Sequence, residues 1–281
     1  MKNILVPIEE HDRLEAVLCA ARLYAALFGS RIEGVALGPE LGDLLAADFI
    51  IAGAMFDEPT RREMVERART VFERHMALHG VPPAQDAGST RGASATYGWA
   101  TSDIMTDSAV GAYARLADLV VVGRPGGGRG DPRRATLEAA LFESGRPLLI
   151  APHAPPAAVD GTIVVAWNRS AETARTVAFA MPLLRKARRV VVLSVKGALA
   201  PGPSGEGLAT ALRRHGLAAE FVQADGAGKP PGRTILEQAA RYGADVLVKG
   251  GYTQGRLRQA IFGGPTSDIL AHADLPVFMA H

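Results

Sequence analysis

Short runs of apolar residues alternate along the chain with longer stretches in which apolar residues recur every three or four positions. Short, wholly apolar runs are typical of strands that are buried on both faces of a parallel sheet. In the first half they predict strands at residues 4–6, 32–37, 119–122 and 148–150, with a weaker signal at 93–97. In the second half they predict strands at residues 163–166, 190–195, 220–223, 246–249 and 277–280.

The stretches between these runs predict amphipathic helices. After the first strand of each half, apolar side chains share one helical face, at Leu14, Val17, Leu18, Ala21, Ala25 and Phe28, and at Ala174, Val177, Ala178, Met181 and Leu184. A long helix is predicted over residues 59–79. The alternation predicts an α/β fold of two tandem doubly wound domains, each with a mainly parallel five-stranded sheet flanked by helices.

The two halves repeat one another. Residues 114–123 read ARLADLVVVG, and residues 240–250 read ARYGADVLVKG, with one residue inserted before the aspartate. A stretch rich in Pro and Ala, residues 153–161, separates the halves and has the composition of a connector. We therefore predict an N-terminal domain over residues 1–152 and a C-terminal domain over residues 161–281.

Charge and composition narrow the classes of function. The chain has 281 residues with 31 Lys and Arg against 29 Asp and Glu, a net charge of +2, and 48% hydrophobic residues. Scattered charges of both signs argue against a nucleic-acid partner. The lone Cys19 excludes a disulfide framework and a cysteine zinc cluster. The apolar run at residues 44–55 is too short to cross a membrane, so we expect a cytoplasmic protein with no membrane partner.

Ligands of doubly wound sheets bind beyond the carboxyl ends of the strands, where the strand order reverses. The loop after the fourth strand of the second half combines glycines, Arg256, Arg258 and a predicted helix start. Glycines let backbone N–H groups approach an anion, and a helix N-terminus favours negative charge. The same glycines can equally serve only the packing of a turn.

Three segments, residues 163–170, 250–264 and 274–277, carry a resemblance to a known family. They resemble the universal stress proteins in their tandem form, with two such domains in one polypeptide. The resemblance implies the fold of the adenine-nucleotide alpha-hydrolase-like proteins, a role in the stress response, and an intramolecular pseudo-dimer of the two domains.

The resemblance also implies a phosphate site. ATP-binding members carry Gly, two residues, Gly, nine residues, then Gly followed by Ser or Thr, and these positions fall here on Gly250, Thr253, Gly263 and Gly264. The second and fourth positions depart from the pattern. Pro265 follows and offers no N–H group, whereas Thr266 offers a hydroxyl and Arg256 a charge.

The positions that meet the base and ribose in the family fall on Asn168 and Val195. Asparagine replaces a carboxylate there and can still form hydrogen bonds. The predicted nucleotide-binding residues are therefore Asn168, Val195, Gly250, Thr253, Arg256, Gly263, Gly264 and Thr266.

The first half departs further from the pattern. Gly123 and Gly126 match its opening, but Thr136 and Leu137 stand in place of the later Gly and Ser or Thr. We expect no ATP binding of the family's kind there. Its glycine-rich loop, residues 126–130, is either an anion site or a solvated turn. Residues 38–59 form an apolar insertion that we expect to pack on its own domain or on a second copy of the chain.

The sequence predicts no catalytic residue and no metal site. Glu9 and Glu10 follow the first strand, but adjacent side chains point apart. His75 and His79 have the spacing of a metal-binding pair on a helix, although a surface pair is the simpler interpretation. His272 and His281 offer little. We expect a protein that is not an enzyme, with at most slow hydrolysis of ATP.

The leading hypothesis is a stress-response binding protein that takes ATP or a related adenine nucleotide in its C-terminal half. The alternative is a dimeric interaction module that binds no nucleotide and acts on unknown protein partners through the apolar segment at 44–56 and its terminal strands. A third option, an adenylyl-transferring enzyme, needs a phosphate loop after the first strand, and residues 167–170 are not glycine-rich.

Overall fold

The computed structural model describes residues 1–38, 57–85, 94–128, 130–251 and 265–281. The chain divides into two compact units, Met1–Arg146 and Pro147–His281. The division falls just before the stretch at residues 153–161 that separates the halves of the sequence. The apolar segment at residues 44–56 lies outside the described residues.

The N-terminal unit is built on parallel strands with helices between them. The strands are β1 (Asn3–Ile8), β2 (Arg31–Ala36), β3 (Thr96–Trp99) and β4 (Leu119–Gly123), in the order β3-β2-β1-β4. The helices are α1 (Leu14–Phe28), α2 (Glu58–Leu78), α3 (Asp107–Tyr113), which a 3-10 turn at Ala114–Leu116 extends, and α4 (Arg134–Glu143). Helix α2 is anchored by Phe72, which is fully buried and lies edge-on to Tyr97 at 5.7 Å between ring centroids.

The C-terminal unit contains a larger sheet. Its strands are β5 (Leu148–Ala151), β6 (Thr162–Ala166), β7 (Arg189–Val195), β8 (Ala219–Ala224), β9 (Ala244–Gly250) and β10 (Val277–Ala280), in the order β5-β10-β9-β6-β7-β8. All neighbours are parallel except β5, which runs antiparallel to β10. The helices are α5 (Ala171–Leu184), α6 (Gly205–Arg214), α7 (Pro231–Arg241) and α8 (Pro265–His272).

The predicted α/β class is confirmed, since parallel strands alternate with helices along the chain. The strand at residues 148–150, which the sequence assigns to the first half, lies in the C-terminal unit, where Leu148 pairs with Met279 and Ile150 with Val277. Hydrophobic periodicity finds a buried strand but carries no information about its neighbour. In the described part of the chain, no helix combines the length and apolarity that crossing a membrane requires.

One contact recurs in both units. The aspartate before β4, Asp118, accepts hydrogen bonds from the backbone N–H groups of Lys2 and Asn3 at the start of β1, at 2.6 and 3.1 Å. The aspartate in β9, Asp245, accepts one from Thr162 at the start of β6, at 3.0 Å. In each unit, the aspartate of the sequence repeat therefore forms a hydrogen bond to the start of the neighbouring first strand.

Candidate functional site

A cleft opens in the C-terminal unit where the strand order reverses. Strand β6 has β7 on one side and β9 on the other, so the chain leaves the carboxyl ends of these strands in diverging directions. The cleft encloses about 480 Å³, open solvent at its mouth included. Its lining consists of Ala166, Trp167, Asn168, Leu193, Val195, Ala198, Leu199, Ile235, Lys249, Pro265 and Thr266.

Asn168, one of the predicted nucleotide-binding residues, follows β6 and lines this cleft. Its Oδ1 atom accepts hydrogen bonds from the backbone N–H of Ser170 at 3.1 Å and from Oγ1 of Thr173 at 2.5 Å. These bonds tie the loop to the start of α5, whose N-cap is Ser170. The carbonyl side of the amide is therefore occupied by the protein, which leaves the amide NH₂ as the group that can meet a ligand.

Backbone geometry holds the same loop in place. Arg169 has φ of +71°, a left-handed conformation that is costly for a residue with a Cβ. The carbonyl of Asn168 accepts a hydrogen bond from the N–H of Ala200 at 2.9 Å, and the indole N–H of Trp167 donates to Pro203 O at 3.0 Å. The loops after β6 and β7 are therefore joined, and together they form one wall of the cleft.

Val195 ends β7 and supplies an apolar surface. Its side chain is buried and lines the cleft together with Leu199 and Ile235. The flat face of a purine base is favoured by such a surface. The structure thus places Asn168 and Val195, the predicted contacts for base and ribose, in one cleft.

Lys249 is a cleft residue that the sequence analysis missed. It occupies the last position but one of β9, and the residue is only 8% exposed. Its Nζ donates to Thr266 Oγ1 at 2.6 Å and to the carbonyl of Gly250 at 2.8 Å. Burial lowers the pKa of Lys249 to about 8. The available signal was a charged residue in an apolar run, at the position where the repeat carries Val122.

Thr266 is the second residue of α8 and is buried beside Lys249. Its hydroxyl accepts the bond from the Lys249 ammonium and can donate its own hydrogen to a ligand oxygen. Pro265 contributes no N–H group at the first turn of the helix. The anion-binding capacity of this corner therefore rests on the ammonium, the hydroxyl and the remaining N–H groups at the start of α8.

Gly250 has a structural reason to be glycine. A Cβ atom at this position would lie 2.5 Å from the backbone nitrogen of Thr173 and 2.7 Å from its Oγ1. The end of β9 therefore approaches the first turn of α5 too closely for any side chain. The packing alone explains this glycine, whether or not a phosphate lies near it. Four further predicted residues, Thr253, Arg256, Gly263 and Gly264, lie outside the described residues.

The N-terminal unit fills the corresponding corner with its own carboxylate. Glu9 follows β1, and its Oε1 accepts hydrogen bonds from the backbone N–H of Arg133 at 3.0 Å and from its Nε at 2.8 Å. Arg133 is the N-cap residue of α4 and also lies 3.8 Å from Asp107. Burial raises the pKa of Glu9, against the opposing effect of the Arg133 charge. A helix N-terminus that could hold an anion is thus already paired with a carboxylate.

The glycine-rich loop of this unit is also engaged internally. The N–H of Gly128 donates to the carboxylate of Asp131 at 3.0 Å, and the carbonyl of Gly130 accepts from Asp12 N at 3.0 Å. A Cβ at Gly126 would lie 2.0 Å from Asp131 Oδ2. The described glycines of this loop therefore form a turn closed by an aspartate. Arg129 lies outside the described residues.

The histidine pair on α2 lies with its ring centroids 4.5 Å apart. Burial, together with the charges of His79 and Arg22, lowers the pKa of His75 to about 4. Among the residues that the structure describes, no group of three or more His, Cys, Asp or Glu side chains could hold a metal ion. His75 is partly buried and His79 is exposed, so the pair lies at the surface of its unit.

Parts of the chain are similar in sequence to known proteins. Residues 161–281 match the model of the universal stress protein family. A stretch of 49 residues is 39% identical to the stress response protein NhaX of Bacillus subtilis (strain 168). That stretch covers 17% of this chain and 30% of the relative, so the chain is matched to less than a third of that protein's length.

Solved structures of similar fold cover almost the whole chain. A universal stress protein from Archaeoglobus fulgidus DSM 4304 aligns over 99% of this chain and 97% of its own, with a TM-score of 0.70 and 15% identity. A putative universal stress protein from Pseudomonas aeruginosa UCBPP-PA14 aligns over 100% and 93%, with a TM-score of 0.56 and 15% identity. These likenesses show the shared α/β fold, and within the chain residues 161–281 match the universal stress protein family.

Proposed function

We propose that the C-terminal unit binds ATP or a related adenine nucleotide in the cleft between β6, β7 and β9, and that the chain acts in the stress response as a nucleotide-binding protein. One observation carries the proposal. Asn168, Val195 and Thr266, which the sequence predicts as ligand contacts from three separate segments, line the same cleft.

The chemistry of the lining supports a nucleotide. The wall formed by Val195, Leu199 and Ile235 is apolar and suits a base, and the free amide NH₂ of Asn168 can donate to a ring nitrogen or a ribose oxygen. At the other end, Lys249 and Thr266 lie at the start of α8, where negative charge is favoured. The cleft thus has an apolar end that suits the base of a nucleotide and a cationic end that suits its phosphate groups.

The proposal includes one site per chain. In the N-terminal unit, Glu9 already neutralises Arg133 at the start of α4, so a phosphate there would have to displace a buried ion pair. We therefore propose the tandem form of the family, in which the N-terminal domain has lost nucleotide binding. In the cell we expect the chain in the cytoplasm, with its two domains forming an internal pseudo-dimer.

Hydrolysis in this site is proposed to be slow or absent. No carboxylate is among the described residues that line the cleft. A carboxylate is the usual group that activates water or holds Mg²⁺ in phosphoryl transfer. The protein would then respond to nucleotide by binding it rather than by turning it over.

A second function is favoured by two of the same contacts. Oδ1 of Asn168 is consumed by Ser170 and Thr173, and Gly250 is explained by packing against Thr173. Both features suit a chain that keeps the fold without the ligand and acts through protein partners. In that case the purified protein carries no nucleotide and does not respond to ATP.

The test combines released ligand with a blocked cleft. Freshly purified full-length protein is denatured, and the released small molecules are identified by mass spectrometry. The proposal predicts an adenine nucleotide, or an empty protein that binds ATP, and loss of both in Ala198→Trp, whose indole fills the cleft. Ala211→Trp, on the exposed face of α6, is the control. A wild-type protein that is empty and ignores ATP would favour the interaction module instead.

A further inference from the structure

Lys249 is a buried cation that the nucleotide-binding pattern of the sequence does not include. Its side chain lies at the carboxyl end of β9, between the strand and the start of α8, and it lines the cleft. Both of its hydrogen-bond acceptors, Gly250 O and Thr266 Oγ1, are neutral. An ammonium group in such a position has lost water without gaining a counter-charge.

The charged residues on the surrounding elements do not neutralise it. Arg169 and Glu172 lie at the start of α5, and Asp268 lies in α8. Arg169 carries the same charge as Lys249, and neither Glu172 nor Asp268 forms an ion pair with it within the described residues; burial is the cause of its lowered pKa. Buried charges in proteins are normally paired, as Arg133 is with Glu9 in the N-terminal unit, where both side chains are nearly buried.

A charged residue occupies this position in the C-terminal unit, but not at the matching position of the N-terminal unit. In the repeat, Val122 occupies the position of Lys249, near the end of β4, and is buried. An apolar residue therefore fits this position of the fold. A lysine here costs stability unless a ligand supplies the missing negative charge.

We propose that Lys249 determines the specificity of the cleft for a phosphorylated ligand, by pairing its ammonium with phosphate oxygens at the start of α8. This inference rests on the proposed nucleotide site and adds the residue that separates a nucleotide from a nucleoside. A hydrogen bond between charged groups strengthens binding by about 10- to 100-fold. This gain should contribute to the affinity for ATP, which has phosphate groups, and should be absent from the affinity for adenosine, which has none.

The test is a calorimetric titration of the full chain with ATP, adenosine and inorganic tripolyphosphate. We expect Lys249→Met to weaken ATP binding about 10- to 100-fold and to leave adenosine binding within about twofold. Lys249→Gln serves as the second variant should Met perturb the cleft. Lys196→Met, at a lysine that is 59% exposed and paired with Asp225, is the matched control and should bind as wild type.

Proton linkage gives a second readout. An amine of pKa about 8 is half protonated at pH 8, so anion binding there should take up about half a proton, and the uptake should vanish in Lys249→Met. Equal ATP affinity in wild type and Lys249→Met would overturn the role of Lys249 while leaving the nucleotide site intact. Lysine-dependent binding of tripolyphosphate without any binding of ATP or adenosine would instead overturn the adenine site alone.

Discussion

The Nζ atom of Lys249 lies 2.6 Å from Oγ1 of Thr266 and forms no ion pair with any described residue. The contact joins the end of β9 to the start of α8, on the side of the sheet where the strand order reverses. A buried ammonium held only by neutral groups is unusual, since its charge is stabilised by hydrogen bonds but not neutralised.

Lys249→Met should stabilise the ligand-free protein at neutral pH. The pKa of Lys249 is about 8 in the folded state and 10.5 in the unfolded state, so the unfolded chain binds more protons between these values. Wild-type stability therefore rises with pH across this window, by up to about 3 kcal/mol from this group. Urea unfolding at pH 7 and pH 9.5 should show the advantage of Lys249→Met shrinking as the pH rises. A constant advantage would contradict the buried, ionised state of the lysine.

Thr266→Val should destabilise the folded protein, because it removes the hydroxyl that accepts from a buried ammonium. The loss of such a bond costs about 1–3 kcal/mol in the free energy of unfolding. Thr70→Val, on the exposed side of α2, is the control and should stay within about 0.5 kcal/mol. Chemical denaturation at pH 7 measures the free energy of unfolding of both variants. Equal losses in the two variants would contradict the role of the Thr266 hydroxyl in holding the ammonium group.

Gly250→Ala should be disruptive because its Cβ would lie 2.5 Å from the backbone nitrogen of Thr173. Overpacking of this kind costs about 1–3 kcal/mol. Gly207→Ala in α6 is the matched opposite, since its Cβ would meet nothing closer than 3.4 Å, and alanine in a helix gains about 0.5–1 kcal/mol over glycine. Thermal unfolding of both variants gives the comparison. A harmless Gly250→Ala would mean that the glycine serves a ligand rather than the packing.

Glu9→Gln should weaken the N-terminal unit. Glu9 and Arg133 have side chains only 12% and 13% exposed, and breaking a buried pair costs about 3–5 kcal/mol. Glu10→Gln, next along the chain and 84% exposed, should cost less than about 0.5 kcal/mol. Proteolysis at increasing urea concentrations would measure the unfolding of the N-terminal unit separately. Similar stability of the two variants would show that Glu9 does not hold the start of α4.

His75 should make the protein lose stability as the pH falls. Its pKa is lowered to about 4 in the folded state, so the unfolded chain binds more protons below pH 6.5. Stability is therefore lost as the pH falls from 6.5 toward 4, and because the ring is only half-buried we expect about 1 kcal/mol. The measurement is the stability difference between wild type and His75→Gln at pH 7 and pH 5. A difference that does not change with pH would contradict the prediction.

The sequence predicted most of the fold because its signal is local. Most of the strands contain a short apolar run, and the helix at Glu58–Leu78 differs from its predicted span by a single residue at each end. The pairing of Leu148 with Met279 was not predictable in this way, because it joins segments that are distant along the chain. The pair formed by Glu9 and Arg133 spans 124 residues and was missed for the same reason.

At the site, motif positions located the cleft but not its chemistry. Asn168 and Val195 were named from the resemblance to the family, and Thr266 as a hydroxyl beside its phosphate loop; the structure shows all three in the lining of one cleft. Lys249 was correctly predicted as part of a strand, but its role in the cleft was missed, because hydrophobic periodicity tolerates one charged residue at the end of a run. The engagement of Asn168 Oδ1 with Ser170 and Thr173 depends on loop geometry that spacing does not specify.

The most direct test of the nucleotide site is its stoichiometry. Isothermal titration of the nucleotide-free full chain with ATP should give one site per chain, because the cleft in the C-terminal unit is open while Glu9 occupies the equivalent corner in the N-terminal unit. A single site that disappears in Ala198→Trp and persists in Glu9→Gln is the predicted result. No heat of binding at millimolar ATP, or a single site that survives Ala198→Trp, would contradict it.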